Sequence, residues 1–384
     1  MTGLIYLDNN ATTTLDPRVL ETMLPFLTEE YGNAASNHEF GVNTNQHVKQ
    51  ARASIADLIG CDDSEIIFTS GATEAINLAI KGIAEHNRTK GKHIVTVQTE
   101  HSAVLDTCNY LESKGYEITY LPVQKDGVLD LELVKQSIKD ETILVSVMLV
   151  NNETGVIQPI KEIAELAHAK GAVFMTDATQ AVGKLPIDVN DLGIDLMSLS
   201  GHKFHGPKGA GALYVRNKLP NRVKLNALIH GGGHENGMRS GTLNVPGIVG
   251  LGKAAELAKK EIQKDAESIK KLRDYLENEL LKIENTFLNG NTTKRLYNVS
   301  NICFKGADAD AIIIDLKNIM VSNGSACSSA KVEPSHVLTA MGISETDCYS
   351  SLRLSLGKFN TKEEMDVVIK SIKEIVVNLR LMNA

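Results

Sequence analysis

From about residue 18 to 215 the chain alternates between two kinds of segment, and this alternation constrains the fold more than any other feature. Short apolar runs read as buried strands: IIFTS (66–70), HIVTVQT (93–99), ITYLPV (118–123), ILVSVMLV (143–150), VFMTDA (173–178), LMSLS (196–200) and GALYV (211–215). Between them lie helical patterns. HVKQARASIADLIG sets Val48, Ala51, Ile55, Leu58 and Ile59 three and four residues apart, the period of one helix face. IKEIAELAHAKG closes on Gly171, as a helix C-terminus does. Strands alternating with helices require a mostly parallel sheet covered on both faces. The expected class is α/β, with a large, mostly parallel seven-stranded sheet domain.

The pattern changes after about 250. An amphipathic helix follows with Ile262, Ala266, Ile269, Leu272, Leu276, Leu280 and Ile283 on one stripe. Then come YNVSNICF, a helical DADAIIIDLKN and a Ser/Gly/Ala loop, SNGSACSSAK. The last helix opens with Thr361 and Glu364 spaced as a capping box. These segments predict a smaller α+β domain formed by 1–14 and 256–384, beside a large domain over 15–255, and the small residues of the cysteine loop at about 322–333 permit motion there.

Composition narrows the function. The 384 residues carry 40 Lys+Arg and 47 Asp+Glu, a formal charge of −7. That balance argues against a nucleic-acid or anionic-membrane surface, both of which require basic patches. The apolar run at 142–150 is too short to span a bilayer. No secretory leader pattern opens the sequence, so a cytoplasmic protein is expected. The five cysteines stand at 61, 108, 303, 327 and 348 without a CxxC pair, which argues against structural zinc and against a disulfide framework. GHKFHGPK lacks the Walker lysine, GAGALY and GGGHEN fail the GxGxxG pattern, and neither GxSxG nor HExxH occurs.

In open α/β sheets ligands bind beyond the carboxyl ends of the strands. Here the strands run into GATE (71–74), Glu100-His101-Ser102, Asn151-Asn152-Glu153, Asp177-Ala178-Thr179-Gln180 and Ser200-Gly201-His202-Lys203. The turn TSGATE suits an anion at a helix N-terminus. Lys203 suits a Schiff-base amine, and Asp177 suits a partner for a pyridinium nitrogen. Taken singly, each has an ordinary reading as a turn, a solvated rim charge or a helix cap. Together they point to pyridoxal phosphate.

With these elements in place the chain resembles the cysteine desulfurases of the NifS/IscS type, within the class V aminotransferase-like, fold-type I pyridoxal-phosphate enzymes. The resemblance runs from YLDNNATT (6–13) through HGGGHENGMRSGT (230–242) to SNGSACSSAKVEPSHVL (322–338) and SLRLSLGKF (351–359). It implies that Lys203 carries pyridoxal 5'-phosphate, Asp177 holds the ring nitrogen and Gln180 the phenolic oxygen. His101 would stack on the ring and serve in proton transfer. Ala72, Thr73, Ser200 and His202 would bind the phosphate. Thr242 would reach the phosphate of a neighbouring subunit, implying a homodimer with shared active sites. Asn152 and Arg353 would hold the carboxylate of L-cysteine, and Asn152 would also border the cofactor. Cys327 would accept sulfur as a persulfide while L-alanine leaves.

The implied role is sulfur supply for iron–sulfur clusters and other thiolated cofactors. A scaffold or other sulfur-acceptor protein is the implied partner, and Cys327 a transient iron–sulfur ligand there. A selenocysteine lyase or another class V enzyme is the alternative; a loop thiol at Cys327 distinguishes a desulfurase from a transaminase, which needs none. A non-catalytic protein that keeps the fold is the rival from another class.

Overall fold

The structure is a computed structural model and describes residues 3–219, 221–324 and 333–382. Strand β1 (Ile5–Tyr6) precedes the large sheet, which is built from β2 (Ile66–Thr69), β3 (His93–Val97), β4 (Glu117–Leu121), β5 (Thr142–Ser146), β6 (Val173–Asp177), β7 (Leu196–Ser200) and β8 (Gly211–Val215). Their order is β2-β8-β7-β6-β5-β3-β4. Strand β8 is antiparallel to both of its neighbours and the remaining pairs are parallel. Two reversals through β8 restore the direction of β2, so its carboxyl end faces the same rim as those of β3, β5, β6 and β7.

Side chains alternate across this sheet, as the period of two requires. Phe68, Val95, Phe174, Met197 and Tyr214 belong to one buried cluster. Ile67, Ile94, Met175, Leu196 and Leu213 belong to another on the opposite face. The run 143–150 yields a shorter strand than its apolar pattern suggests. Strand β5 stops at Ser146, and the chain continues beside β6 through Val147 N–H to Met175 O and Leu149 N–H to Asp177 O. Met148 and Val150 thereby reach the cavity at the rim.

Beyond β8 a helix spans Val245–Leu280 and is capped by the Asn244 side chain, which accepts from Gly247 N–H. It starts earlier than the apolar stripe implies, and Ile283 lies past its end. The first turns pack Val245, Ile248, Leu251 and Leu257 into the large-domain cluster. The last pack Ile269, Leu276 and Leu280 with Ile5, Leu7 and the C-terminal elements. A division at 255/256 therefore falls inside one helix. The remaining strands are β9 (Thr286–Asn289), β10 (Val299–Phe304), β11 (Ile319–Met320) and β12 (Ser351–Ser355). They form an antiparallel β12-β10-β9 sheet and a β1-β11 pair. The Thr361–Glu364 capping box forms in both directions, and Gly171 takes the left-handed conformation (φ 67°) after the helix Ile160–Ala169.

Several residues without an expected role prove structural. His38 caps the helix Glu39–Ile59 by accepting from Gly41 N–H. His93 bridges Thr142 and Thr119. His168 contacts Asp195. Cys348 packs with Val337, Leu338 and Met341. Among the described residues no helix is long and apolar enough to cross a membrane.

The helices Glu39–Ile59 and Val245–Leu280 meet closely at Gly252, where an added Cβ would stand 2.4 Å from Ala51 Cα. A larger side chain must push the two backbones apart. Gly252→Leu is expected to cost about 1–3 kcal/mol and to lower the thermal midpoint in calorimetry; an unchanged midpoint would refute this packing.

Candidate active site

One cavity of about 560 Å³ opens at the carboxyl rim of the sheet. Ala72, Thr73, His101, Asn152, Asp177, Gln180, Ser200, His202, Lys203 and Arg353 all line it. Thr242 does not. It is exposed and borders an adjoining depression of about 200 Å³ with Ser70 and Arg239. Cys327 lies outside the described residues, and Gly324, the last described residue before it, lines the main cavity.

Lys203 ends the short turn Gly201–Lys203 that follows β7. Its Nζ donates to Asn10 O at 2.7 Å and Ala11 O at 2.8 Å. Asp177 closes β6. Its Oδ1 accepts from Thr179 N–H at 2.9 Å, from the Thr179 hydroxyl and from Ser198 Oγ at 3.0 Å. These donors crowd one oxygen. Among the described residues none reaches Oδ2, which leaves that oxygen for a cationic N–H in the cavity.

His101 caps the helix Ser102–Glu112, and its Nδ1 accepts from Ala103 N–H at 3.1 Å. An accepting Nδ1 carries no proton, so the neutral ring holds its proton on Nε2. Burial lowers the His101 pKa, and Lys203 and His336 add to this while Asp177 opposes them.

The phosphate end is built from β2 and the helix Ala72–His86. Gly71 (φ 155°) makes the turn between them. Its Cα is so close to Gly211 that an added Cβ on the latter would stand 2.6 Å away. Glu74 braces this turn by accepting from Ser70 N–H at 2.8 Å and pairing with Arg239 at 2.7 Å. Burial opposes ionisation of Glu74, but the bonds from Arg239 and Ser70 outweigh it and hold its pKa low. Arg239 belongs to the segment 230–242, which is fixed at a second point. Glu235 accepts two Arg52 N–H bonds at 2.7 and 2.9 Å and the Phe68 N–H at 2.8 Å.

Cationic groups dominate this end. Burial, followed by Lys203, Lys208 and Lys184, depresses His202 to about 4. Burial depresses Lys184 to about 7, with Lys203 and Arg353 contributing. The backbone N–H groups of a helix N-terminus suit an anion. The donor set therefore fits pyridoxal phosphate: an amine at Lys203, an available carboxylate oxygen at Asp177 and a helix N-terminus at Gly71–Thr73 with Lys208 on the same lining.

Arg353 is 4% exposed. Its Nη2 donates to Asp8 Oδ1 at 2.7 Å and its Nη1 to Asn152 O at 3.2 Å. Arg353 is thus buried in its strand, and its guanidinium borders the cavity. Sequence reasoning gave no role to Asp8, nor to the Asn10 and Ala11 carbonyls, although YLDNNATT had marked the segment. It also passed over Glu100 and Glu153, both buried, each with a pKa raised by burial. Among the described residues no cluster of His, Cys, Asp and Glu has the make-up of a metal site.

The aminotransferase class-V family model matches residues 5–368. The cysteine desulfurase IscS of Pectobacterium carotovorum subsp. carotovorum (strain PC1) is 52% identical over 98% of this chain and 93% of its own length. A solved structure described as a NifS-like protein superposes with a TM-score of 0.91 at 39% identity, covering 98% of this chain and all of that one. Another, described as SspA in complex with cysteine, gives a TM-score of 0.82 at 38% identity over 93% of this chain and all of the other. The chain belongs to the aminotransferase class-V family. Within that family it groups with the cysteine desulfurases of the IscS and NifS-like type.

The depressed pKa of His202 has a measurable sign. A histidine with a folded-state pKa below its ordinary 6.5 contributes stability that is complete above pH 6.5 and lost as pH falls toward about 4. His205, likewise near 4 through burial, acts in the same window. Cofactor-free protein should therefore lose thermal stability between pH 6.5 and 4. His202→Gln should lose less, and inorganic phosphate should soften the loss. A His202→Gln profile parallel to that of the unmodified protein would contradict this electrostatic picture.

Proposed function

We propose that this chain uses pyridoxal 5'-phosphate to convert L-cysteine to L-alanine and passes the sulfur to Cys327 as a persulfide. The observation that carries the reading is the convergence of Lys203, Asp177, His101 and Arg353 on one cavity bordered by Gly324, three residues before Cys327.

Bound pyridoxal phosphate supplies the electron sink that accepts the pair released when the substrate Cα proton leaves. Asp177 Oδ2 holds the ring nitrogen protonated, and Gln180 offers an N–H to the phenolic oxygen. Ala72, Thr73, Ser200 and His202 hold the phosphate, with Thr242 supplied by a second subunit of a homodimer. Arg353, beside Asn152, takes the substrate carboxylate with its planar fork; the buried pair with Asp8 keeps that fork in place. Lys203 would hold the cofactor and, when its amine is free, would take the Cα proton. His101, with its proton on Nε2, lines the same cavity and would return a proton there.

Cys327 attacks the substrate sulfur as a thiolate. The Cβ–S bond breaks, its electron pair stays on carbon and is protonated, and the thiol plus cysteine become a persulfide plus alanine. The four described cysteines support the assignment by their unsuitability. Burial pushes the Cys61 and Cys108 thiols up to about 12 and Cys303 to about 11, and raises Cys348. The persulfide would then supply an iron–sulfur scaffold or another acceptor protein in the cytoplasm, with Cys327 a transient ligand to the cluster under assembly.

Purified protein given L-cysteine and a thiol reductant should yield alanine and sulfide in equal amounts over many turnovers. Cofactor-loaded protein that yields neither would overturn the reading. Cys327→Ser should keep the bound cofactor and lose sulfide release; normal alanine output would remove Cys327 from the mechanism. Arg353→Lys keeps the charge and loses the fork. It should raise KM for L-cysteine about tenfold or more, with cofactor uptake unchanged; an unchanged KM would place carboxylate binding elsewhere.

A further inference from the structure

Lys184 is a buried lysine to which the proposed chemistry gives no work. It is 8% exposed and sits one helical turn after Gln180, with its N–H bonded to Ala181 O at 2.9 Å. The preceding Gly183 (φ 76°) lies against Phe204, where an added Cβ would stand 2.7 Å from the Phe204 Cβ. That contact sets the direction in which the Lys184 stem leaves the turn. Its Nζ ends 2.8 Å from Gln180 Oε1. Gln180 is 4% exposed, and its Nε2 donates to Asn10 O at 2.8 Å. The same Asn10 carbonyl accepts from Lys203 Nζ at 2.7 Å. A continuous chain of polar contacts thus joins Lys184 to Lys203 through Gln180 and one carbonyl.

The chemistry of these groups decides how the Gln180 amide is turned. A lysine amine, charged or neutral, presents N–H donors, a carbonyl oxygen only accepts, and an amide presents one of each. With Lys184 on one side and Asn10 O on the other, only one orientation satisfies both. It directs Oε1 at Lys184 and the NH2 group at Asn10. The second N–H of Nε2 then remains for the cavity that Gln180 lines. The reverse orientation would oppose two carbonyl oxygens. It would also give the cavity an acceptor where the phenolic oxygen of the cofactor needs a donor.

We infer that Lys184 is a positioning residue that fixes the Gln180 amide with its N–H toward the cavity, and so lowers the proton affinity of pyridoxal phosphate bound at Lys203. This rests on the cofactor reading above. A donor at the phenolic oxygen stabilises its anionic form and draws electron density from the neighbouring imine nitrogen, so the bound cofactor gives up its proton at lower pH. The depressed pKa of Lys184 agrees with this placement, since burial, Lys203 and Arg353 all act on the same amine. Behind Lys184 a small pocket of about 40 Å³ carries Asp16, His205, Glu261, Asp265 and Lys358 on its lining. Asp16 and Glu261 are both paired with Arg18 and Lys358, and burial raises the pKa of Asp265.

The test is a spectrophotometric pH titration of the visible absorbance of the holoprotein without substrate, on the unmodified protein, Lys184→Met, Lys184→Arg, Gln180→Leu and the Lys184→Met/Gln180→Leu pair. Lys184→Met should raise the midpoint by about one pH unit, a tenfold change in proton affinity. Gln180→Leu should raise it by a similar amount. The double variant should go no further than Gln180→Leu alone, because Lys184 acts through that amide. Lys184→Arg keeps a donor and should stay within a few tenths of a unit of the unmodified protein. An unmoved midpoint in Lys184→Met, or additive shifts in the double variant, overturns the inference. So does a Lys184→Arg midpoint displaced as far as that of Gln180→Leu, even if Lys184→Met fails to fold. If the unmodified protein takes up pyridoxal phosphate without a visible, titrating band, the cofactor reading itself fails.

Discussion

The segment from Asp8 to Thr13, which turns on itself through Ala11 N–H to Asp8 O, is the contact on which the rest of the structure depends. Asn9 N–H donates to Ser355 O and Asn10 N–H to Ser355 Oγ. The Asn10 side chain donates to Asn152 O and accepts from Asn298. Thr13 N–H donates to His202 O. One short stretch thereby ties β12 of the C-terminal part to the rim of the large sheet. It also supplies both carbonyls that hold Lys203 and the carboxylate that pairs with Arg353. These groups are buried, so each lost partner leaves an unsatisfied polar atom at about 1–3 kcal/mol. The network therefore tolerates few alternatives and keeps the amine and the guanidinium in fixed relation.

Electrostatics follows from that arrangement. Lys203, Lys184, Lys208, His202 and Arg353 lie near one another, and the structure lessens their repulsion by burial-driven loss of charge and by specific pairing. His202 and Lys184 titrate lower than usual, and Arg353 is matched by Asp8. The buried acids nearby move the other way. Glu100, beneath Asp177, is pushed well up by burial and by the charge of Asp177. Glu153, also raised by burial, accepts from the Ser335 hydroxyl. The cavity consequently keeps a net positive character suited to a phosphate and a carboxylate.

The large sheet was legible because its strands, the edge strand β4 apart, are buried on both faces and carry largely apolar runs. All seven appear, and residues that follow five of them (β2, β3, β5, β6 and β7) line one cavity. What escaped was backbone chemistry. The acceptors of Lys203 are main-chain carbonyls at Asn10 and Ala11, and no residue type announces a carbonyl's direction. Arg353 in SLRLSLGKF alternates as an edge residue would, and only tertiary pairing with Asp8 buries it. The helix starting at Val245 was read too late because its first turns pack on the large domain rather than on the amphipathic stripe; Asn244 before Val245-Pro246 was the available capping signal. Lys184 follows a glycine in a turn and looks like a solvated charge until Phe204 closes over that glycine.

The central claim is that the Lys203 amine is the group that binds pyridoxal phosphate. Reducing the holoprotein with borohydride, digesting it and locating the added pyridoxyl mass by tandem mass spectrometry tests that claim directly. The account predicts the modification on the peptide containing Lys203. A stoichiometric label on Lys184, Lys208 or any other lysine, with Lys203 unmodified, would contradict it.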